Sequence, residues 1–487
     1  MPKDSSEANG AGVRTEAIDV DFCIIGAGSG GLSLAAAAAA FGQKVVLLEK
    51  HKMGGDCLNY GCVPSKALLA AGKRAKSMRT SAPFGVANVE PRVDFSAVHS
   101  HVQGVIAAIA PNDSVERFTG LGVRVITAAG RFVDASTVIA GEHRITARRF
   151  VIATGSSPVV PPIPGLADVP YFTNETIFDN AERLPHLIVI GGGPIGLEMA
   201  QAPHRLGCQV TVLEALKALA KDDPELGIVV LKHLREEGID IREGALVNRV
   251  AGGKGRVSVT ITKDGAEETI EGTHILVAAG RRANTADLGL EAAGIKFDKK
   301  GITVDAGLRT SNRRVYAIGD VTGGLQFTHV ANDHAGIVIR RTLFRLPAKT
   351  TGRHVPWVTY TDPELAHVGL TEAEAREKHG KINVLRWPYH ENDRAQAERE
   401  TEGHVKVITD KKGLILGASI VGSHAGEIIQ MWSLALAQGL KIRAMTEWIS
   451  PYPTLSEINK RAAFRYYATA ASNPFLRKAI ALLAKLG

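Results

Sequence analysis

A strand, a glycine turn, a helix, a second strand and a terminal acid occur twice in this chain at one spacing. The first copy opens with Asp21-Phe-Cys-Ile-Ile-Gly-Ala-Gly-Ser-Gly-Gly31, the second with Leu187-Ile-Val-Ile-Gly-Gly-Gly-Pro-Ile-Gly196. Gly26, Gly28 and Gly31 match Gly191, Gly193 and Gly196. Glu49 follows Gly26 by 23 residues, and Glu214 follows Gly191 by the same 23. In such a unit the first two glycines allow a tight turn and backbone approach to a pyrophosphate, and the third lets helix and strand pack closely. The acid accepts hydrogen bonds from a ribose. A lone glycine turn says little, but two with matching strands and acids predict an α/β fold with two Rossmann-like dinucleotide-binding domains. Glu214 would repel the 2′-phosphate of NADP, so the second site is expected to favour NAD, with Lys217 close enough to soften the preference.

Two later segments fit the first copy. Phe150-Val-Ile-Ala-Thr-Gly-Ser156 is a β-branched run that ends in a glycine turn at Thr154, Gly155 and Ser156, and Val315-Tyr-Ala-Ile-Gly-Asp320 is another strand that ends in an acid. Taken singly, each reads as an ordinary core strand with a polar end. Taken together, they make the first nucleotide domain discontinuous, over residues 18–159 and 287–352, with the NAD(P) domain inserted at 160–286. The proline-rich stretch 157–164 is a natural crossover.

Cys57 and Cys62 lie in Gly54-Gly-Asp-Cys-Leu-Asn-Tyr-Gly-Cys-Val-Pro-Ser-Lys66, directly after the first copy. Four intervening residues let the two sulfurs close a small ring. Pro64 fixes φ for the first turn of a helix, whose N-terminus would stabilise a thiolate at Cys62. The plainer alternatives are a structural disulfide or half of a zinc site. Zinc needs four ligands, and the remaining cysteines, Cys23 and Cys208, are single and remote, so no metal site is expected. Four cysteines in 487 residues do not make a secreted disulfide scaffold, and the cytoplasm is the expected location.

Composition excludes several classes. Hydrophobic content of 45% and charged content of 22% suit a globular chain of several domains. Residues 1–17 form a polar extension without the apolar core of a signal peptide. The alanine run 35–40 belongs to a nucleotide-site helix and is soon followed by Gly42, so it predicts no membrane span. The net charge of +8 is concentrated near the end, with six bases against one acid from Pro453 onward. No recognised binding motif accompanies it, and no nucleic-acid partner is expected.

In this order the elements resemble the class I pyridine nucleotide-disulfide oxidoreductases, a family that includes dihydrolipoamide dehydrogenase, glutathione reductase and mercuric reductase. The resemblance covers residues 20 to about 470 and implies FAD in the first domain, NAD(H) rather than NADP(H) in the second, and an α+β dimerisation domain over 353–472. The segment Tyr360-Thr-Asp-Pro-Glu-Leu-Ala-His-Val-Gly-Leu-Thr-Glu372 resembles the opening of that last domain, and a homodimer is implied. By the same resemblance Cys57 is the interchange thiol that meets substrate and Cys62 the charge-transfer thiol beside the flavin. Lys66 and Glu198 match an ion pair near the flavin, although each also reads as a plain helix-surface residue. Gly130, Asp320, Gln326 and His329 match flavin contacts, while Val247 and Gly280 match NAD contacts. Ala283 stands where the family usually has proline.

One departure bears on the chemistry. The family's dithiol enzymes carry a histidine before Pro-Thr, paired with a glutamate five residues on; here the segment is Ser450-Pro-Tyr-Pro-Thr-Leu-Ser-Glu457. Tyr452 takes the place of the base, and Glu457 loses its usual partner. A phenol with a reference pKa near 10 is a poor base at neutral pH. Mercuric reductases resemble the chain at this tyrosine, but they also deliver Hg(II) through a C-terminal cysteine pair, and no cysteine follows Cys208 here. Soluble transhydrogenases lack the cysteine pair, which sets that branch aside. The expected activity is transfer of hydride from NADH through FAD to the Cys57–Cys62 disulfide, and on to a small-molecule or protein disulfide, a metal ion or another soft acceptor. Dihydrolipoyl dehydrogenase activity, mercuric reductase-like activity, quinone reduction at a membrane surface and a non-catalytic binding role are the alternatives.

The tail 473–487 extends past the resemblance. Phe475, Leu476, Ala479, Ile480, Leu483 and Leu486 recur at helical spacing, while Arg477, Lys478 and Lys485 fall outside that stripe. Such a helix caps the third domain or lies weakly on an anionic membrane.

Overall fold

A computed structural model describes residues 16–352 and 354–486. The polar stretch 1–15, Arg353 at the expected start of the third domain, and Gly487 lie outside the described residues. The chain divides into two compact units, one of residues 1–62, 106–157 and 281–350, the other of residues 63–105, 158–280 and 351–487.

The first unit is built on β1 (Glu16–Ile25), α1 (Ser29–Ala40), β2 (Val45–Glu49), β3 (Val123–Thr127), β4 (Gly130–Asp134), β5 (Thr137–Ala140) and β6 (His143–Ile152). The sheet runs β3-β2-β1-β6-β5-β4, parallel as far as β6 and antiparallel beyond it. The short strand Val315–Ala317 also pairs with β6 in parallel, Val315 opposite Phe150. Strands in a parallel sheet are covered on both faces, which is why β2 is apolar up to Glu49 instead of alternating. Successive residues feed opposite layers. Cys23, Val46, Phe150 and Ile152 join a cluster with Phe132, while Phe22, Ile24, Leu47 and Val151 join one with Phe118 and Val338. β1 begins at Glu16, inside the stretch read from sequence as the extension. Residues 281–286, read with the NAD(P) domain, belong to this first unit.

The second unit repeats the strand-turn-helix plan. Its parallel sheet runs Asp240–Glu243, Gln209–Glu214, His186–Ile190, His274–Val277, with the helix Pro194–Arg205 following the glycine turn. A three-stranded antiparallel meander, 246–272, accompanies it. The C-terminal part of the unit is a five-stranded antiparallel sheet in the order Pro356–Thr359, Glu364–Gly369, Ile415–Gly422, His404–Asp410, Ile382–Pro388. Fully buried Trp432 anchors its core, and the indole N–H donates to Asn459 Oδ1 at 2.7 Å, so the large apolar ring is buried with its one donor satisfied.

Lys406 is buried in this unit at 3% exposure, its Nζ 2.7 Å from Asp223, 2.9 Å from Glu225 and 2.8 Å from Glu372. Burial alone would lower the amine's pKa, but bonds to three carboxylates outweigh it and raise the value. The tail helix Pro474–Leu483 buries none of its residues. Among the described residues, no apolar surface of the same chain buries the stripe.

Candidate active site

The two glycine turns have nearly the same geometry. A Cβ on Gly31 would stand 1.9 Å from the Gly26 carbonyl oxygen, and one on Gly196 would stand 2.0 Å from that of Gly191, so only glycine lets helix and turn approach this closely. Glu49 Oε2 accepts the N–H of Ala27 at 2.8 Å, and Glu214 Oε2 accepts that of Gly192 at 2.8 Å. Each terminal acid thus grips its own glycine turn from the end of the neighbouring strand. Gly28 and Gly193 sit at the caps of their helices, where unpaired N–H groups favour an anion. These cradles fit the diphosphates of FAD and of a nicotinamide dinucleotide. Gly130 opens β4 with Leu48 beneath it, 2.6 Å from where a Cβ would lie.

In the first unit Cys57 lies on α2 (Gly55–Asn59), and Cys62 opens α3 (Cys62–Arg79). The two sulfurs are not covalently bonded to each other, and Cys57 is partly buried and Cys62 exposed. Cys57 hydrogen-bonds Cys62, and this bond, with burial second and the Cys62 charge next, pushes the Cys57 thiol up. Cys62 opens α3, where the unpaired N–H groups of a helix N-terminus support a thiolate. Thr328 Oγ1 lies 3.5 Å from Cys62 Sγ. The neighbouring Phe327 and His329 rings stack at 5.3 Å, and Gln326 is half-buried beside them.

A polar chain runs from Asp56, beside Cys57, into the strand ends. Arg281 lies 3.2 Å from Asp56 and donates to Ser156 Oγ at 2.8 Å and to the Ser156 carbonyl at 2.9 Å. Ser156 in turn donates to Asp320 Oδ2 at 2.6 Å. Burial pushes the Asp320 carboxyl up, against the bond from Ser156. Asn284 closes the same turn by donating to the Thr154 carbonyl at 3.0 Å and, through its backbone N–H, to the Gly155 carbonyl at 3.0 Å. Asp56, Arg281 and Asn284 were not singled out from the sequence. The usable signal for Arg281 was its place directly after Gly280, whose φ is +122°.

In the second unit Lys66, one turn along α3, donates to Glu198 Oε2 at 2.7 Å, and Glu198 is 7% exposed. The other oxygen of Glu198 accepts the Tyr360 N–H at 2.9 Å, and Lys66 Nζ lies 4.2 Å from the Tyr360 ring centroid. The carboxylate is thus fully used, and the amine has both an anion and an aromatic face. Val247 lies in the meander opposite Ile261, and Gly280 accepts the Val159 N–H at 2.9 Å.

Tyr452 and Glu457 are not joined. The Tyr452 phenol is 70% exposed and donates to Asp393 Oδ2 at 2.8 Å, while Glu457 pairs with Arg461 at 2.8 Å. The bond to Asp393 raises the phenol's pKa, taking it further from use as a base.

A family model described as pyridine nucleotide-disulphide oxidoreductase matches residues 20–335, and the dimerisation domain of the same family matches 355–463. The chain belongs to this family, and it is a flavin-dependent pyridine nucleotide-disulfide oxidoreductase. It is 37% identical over 449 residues to a mercuric reductase of Lysinibacillus sphaericus, covering 92% of this chain and 82% of that one. It is 34% identical over 456 residues to a dihydrolipoyl dehydrogenase of Geobacillus stearothermophilus, covering 92% and 96%. Among solved structures, the Cu(II) complex of the HOCl-induced flavoprotein disulfide reductase RclA from Escherichia coli is similar, with a TM-score of 0.82 and 30% identity over 91% of this chain and 99% of that one. The family uses FAD and NAD(P)H, and its dimerisation domain supports a homodimer. No helix among the described residues is long and apolar enough to cross a membrane.

Proposed function

We propose that the enzyme oxidises NADH and delivers two electrons to a thiophilic acceptor whose reduction needs no proton transfer through a dedicated acid–base residue, with a metal ion preferred to an organic disulfide. FAD, when bound, would supply the redox relay between NADH and the Cys57–Cys62 disulfide. Cys62 holds the thiolate, and the Cys57 sulfur meets the acceptor. Lys66, Glu198 and Tyr360 fix the amine's position, and Arg281, Ser156, Asp320 and Asn284 hold the strand ends that carry the cofactor. Glu214 supports NADH over NADPH. A cytoplasmic location and action as a homodimer belong to the same reading.

The observation that carries it is the Tyr452–Asp393 bond, which leaves the expected base position with a phenol held protonated. The names of the mercuric reductase relatives and of the Cu(II)-bound neighbour point the same way. A steady-state comparison of Hg(II), Cu(II), lipoamide and glutathione disulfide, with NADH and NADPH side by side, tests it. Fast lipoamide turnover with negligible metal-dependent NADH oxidation would overturn the metal preference in favour of dihydrolipoyl dehydrogenase activity.

A further inference from the structure

The tail helix Pro474–Leu483 is capped by its own sequence: Asn473 Oδ1 accepts the N–H of Phe475 at 2.9 Å and of Leu476 at 3.3 Å, and Pro474 fills the first helical position. No residue of it is buried, and Phe475 is 83% exposed, Leu483 64% and Leu486 78%. Projected at helical spacing, Phe475, Leu476, Ala479, Ile480, Leu482, Leu483 and Leu486 occupy an arc of about 160°. Arg477 borders that arc on one side, Lys478 and Lys485 on the other. No acid occurs between residues 473 and 487. The dimerisation model ends at residue 463, so the helix lies beyond it.

We propose that this helix is a docking element for an anionic lipid surface, lying flat with its apolar arc among the acyl chains and its bases at the headgroups. The charge pattern selects this occupant. Cations along both margins of an apolar stripe suit lysine and arginine stems that run along the stripe while their heads reach phosphates. In a pair of such helices from two copies of the chain, those margins would bring like charges together. One helix of this length holds weakly and reversibly, so the enzyme exchanges between surface and solution.

The test uses the full-length FAD-loaded protein with phosphatidylcholine vesicles that contain about 30% phosphatidylglycerol, at about 0.025 M salt. Sedimentation with these vesicles should fall about tenfold or more in the double variant Ile480→Asp, Leu483→Asp, and comparably in Arg477→Glu, Lys478→Glu. Raising salt to about 0.5 M should release the parent protein, since screening shortens the reach of its charges. NADH reduction of the bound flavin should be unchanged in both variants. Equal sedimentation of parent and variants would overturn the proposal, as would binding to pure phosphatidylcholine that ignores salt. A variant that sediments as a monomer where the parent is a dimer would assign the helix to a second copy of the chain and overturn it too.

Discussion

The Cys57 thiol is pushed up by its hydrogen bond to Cys62, by burial and by adjacent negative charge, whereas Cys62 opens a helix. This asymmetry predicts that Cys62→Ser abolishes the long-wavelength absorbance formed on anaerobic NADH titration, while Cys57→Ser retains it. Persistence of the band in Cys62→Ser would reverse the assignment. At Tyr452, Asp393→Asn removes the negative charge of the acceptor that raises the phenol's pKa, and difference titration against Tyr452→Phe should show ionisation moving down towards the ordinary value near 10. Tyr452→His should raise lipoamide turnover roughly a hundredfold, the lower end of what a positioned base contributes; no change would clear the tyrosine as the limiting group. The two thiols were legible because their motif is local. Asp393 was not, because it lies 59 residues from Tyr452 and loop packing alone joins them. The same is true of Arg281, 125 residues from Ser156.

Between elements, the strongest constraint is the buried amine of Lys406, which ties the start of the helix Pro224–Glu236 to a strand of the five-stranded sheet. Lys406→Met would leave three carboxylates facing one another. Losing one partner of a buried pair costs about 3–5 kcal/mol, so the variant should melt several degrees lower. Denaturant unfolding would check this, and an unchanged midpoint would show that water replaces the lysine. No pattern around Lys406 announced the cluster, since a lysine in an alternating strand reads as solvent-facing. The glycine turns were legible for the opposite reason: the contacts of Gly31 with Gly26 and of Glu49 with Ala27 fall inside one strand-turn-helix-strand unit.

For the whole molecule, acid is the natural stress. Bonds from Arg386 and then Lys406 hold Glu225 down to about 2, and His233 and Arg205 outweigh burial to keep Glu237 well below the usual carboxylate range. A carboxylate with a depressed folded-state pKa contributes stability that is complete above its ordinary value, near 4.5, and is lost as pH falls towards the folded value. The melting temperature should therefore hold near neutrality and decline below about pH 4.5. In Glu237→Gln it should start lower and decline less steeply. Parallel curves for parent and variant would remove Glu237 from the acid limb.

The discontinuity of the first unit sets an order on synthesis. β6 receives the strand Val315–Ala317 late, and α1 packs at Gly30 against Ala331, whose methyl is 3.2 Å from where a Cβ would lie. At about 5–20 residues per second, a ribosome needs roughly 15–60 s after making α1 to supply its partner helix. The first glycine turn is thus translated early and completed late, while the strands of the second nucleotide fold emerge within one uninterrupted stretch. During that interval the nascent chain carries an unfinished cofactor cradle with an uncovered apolar face at α1.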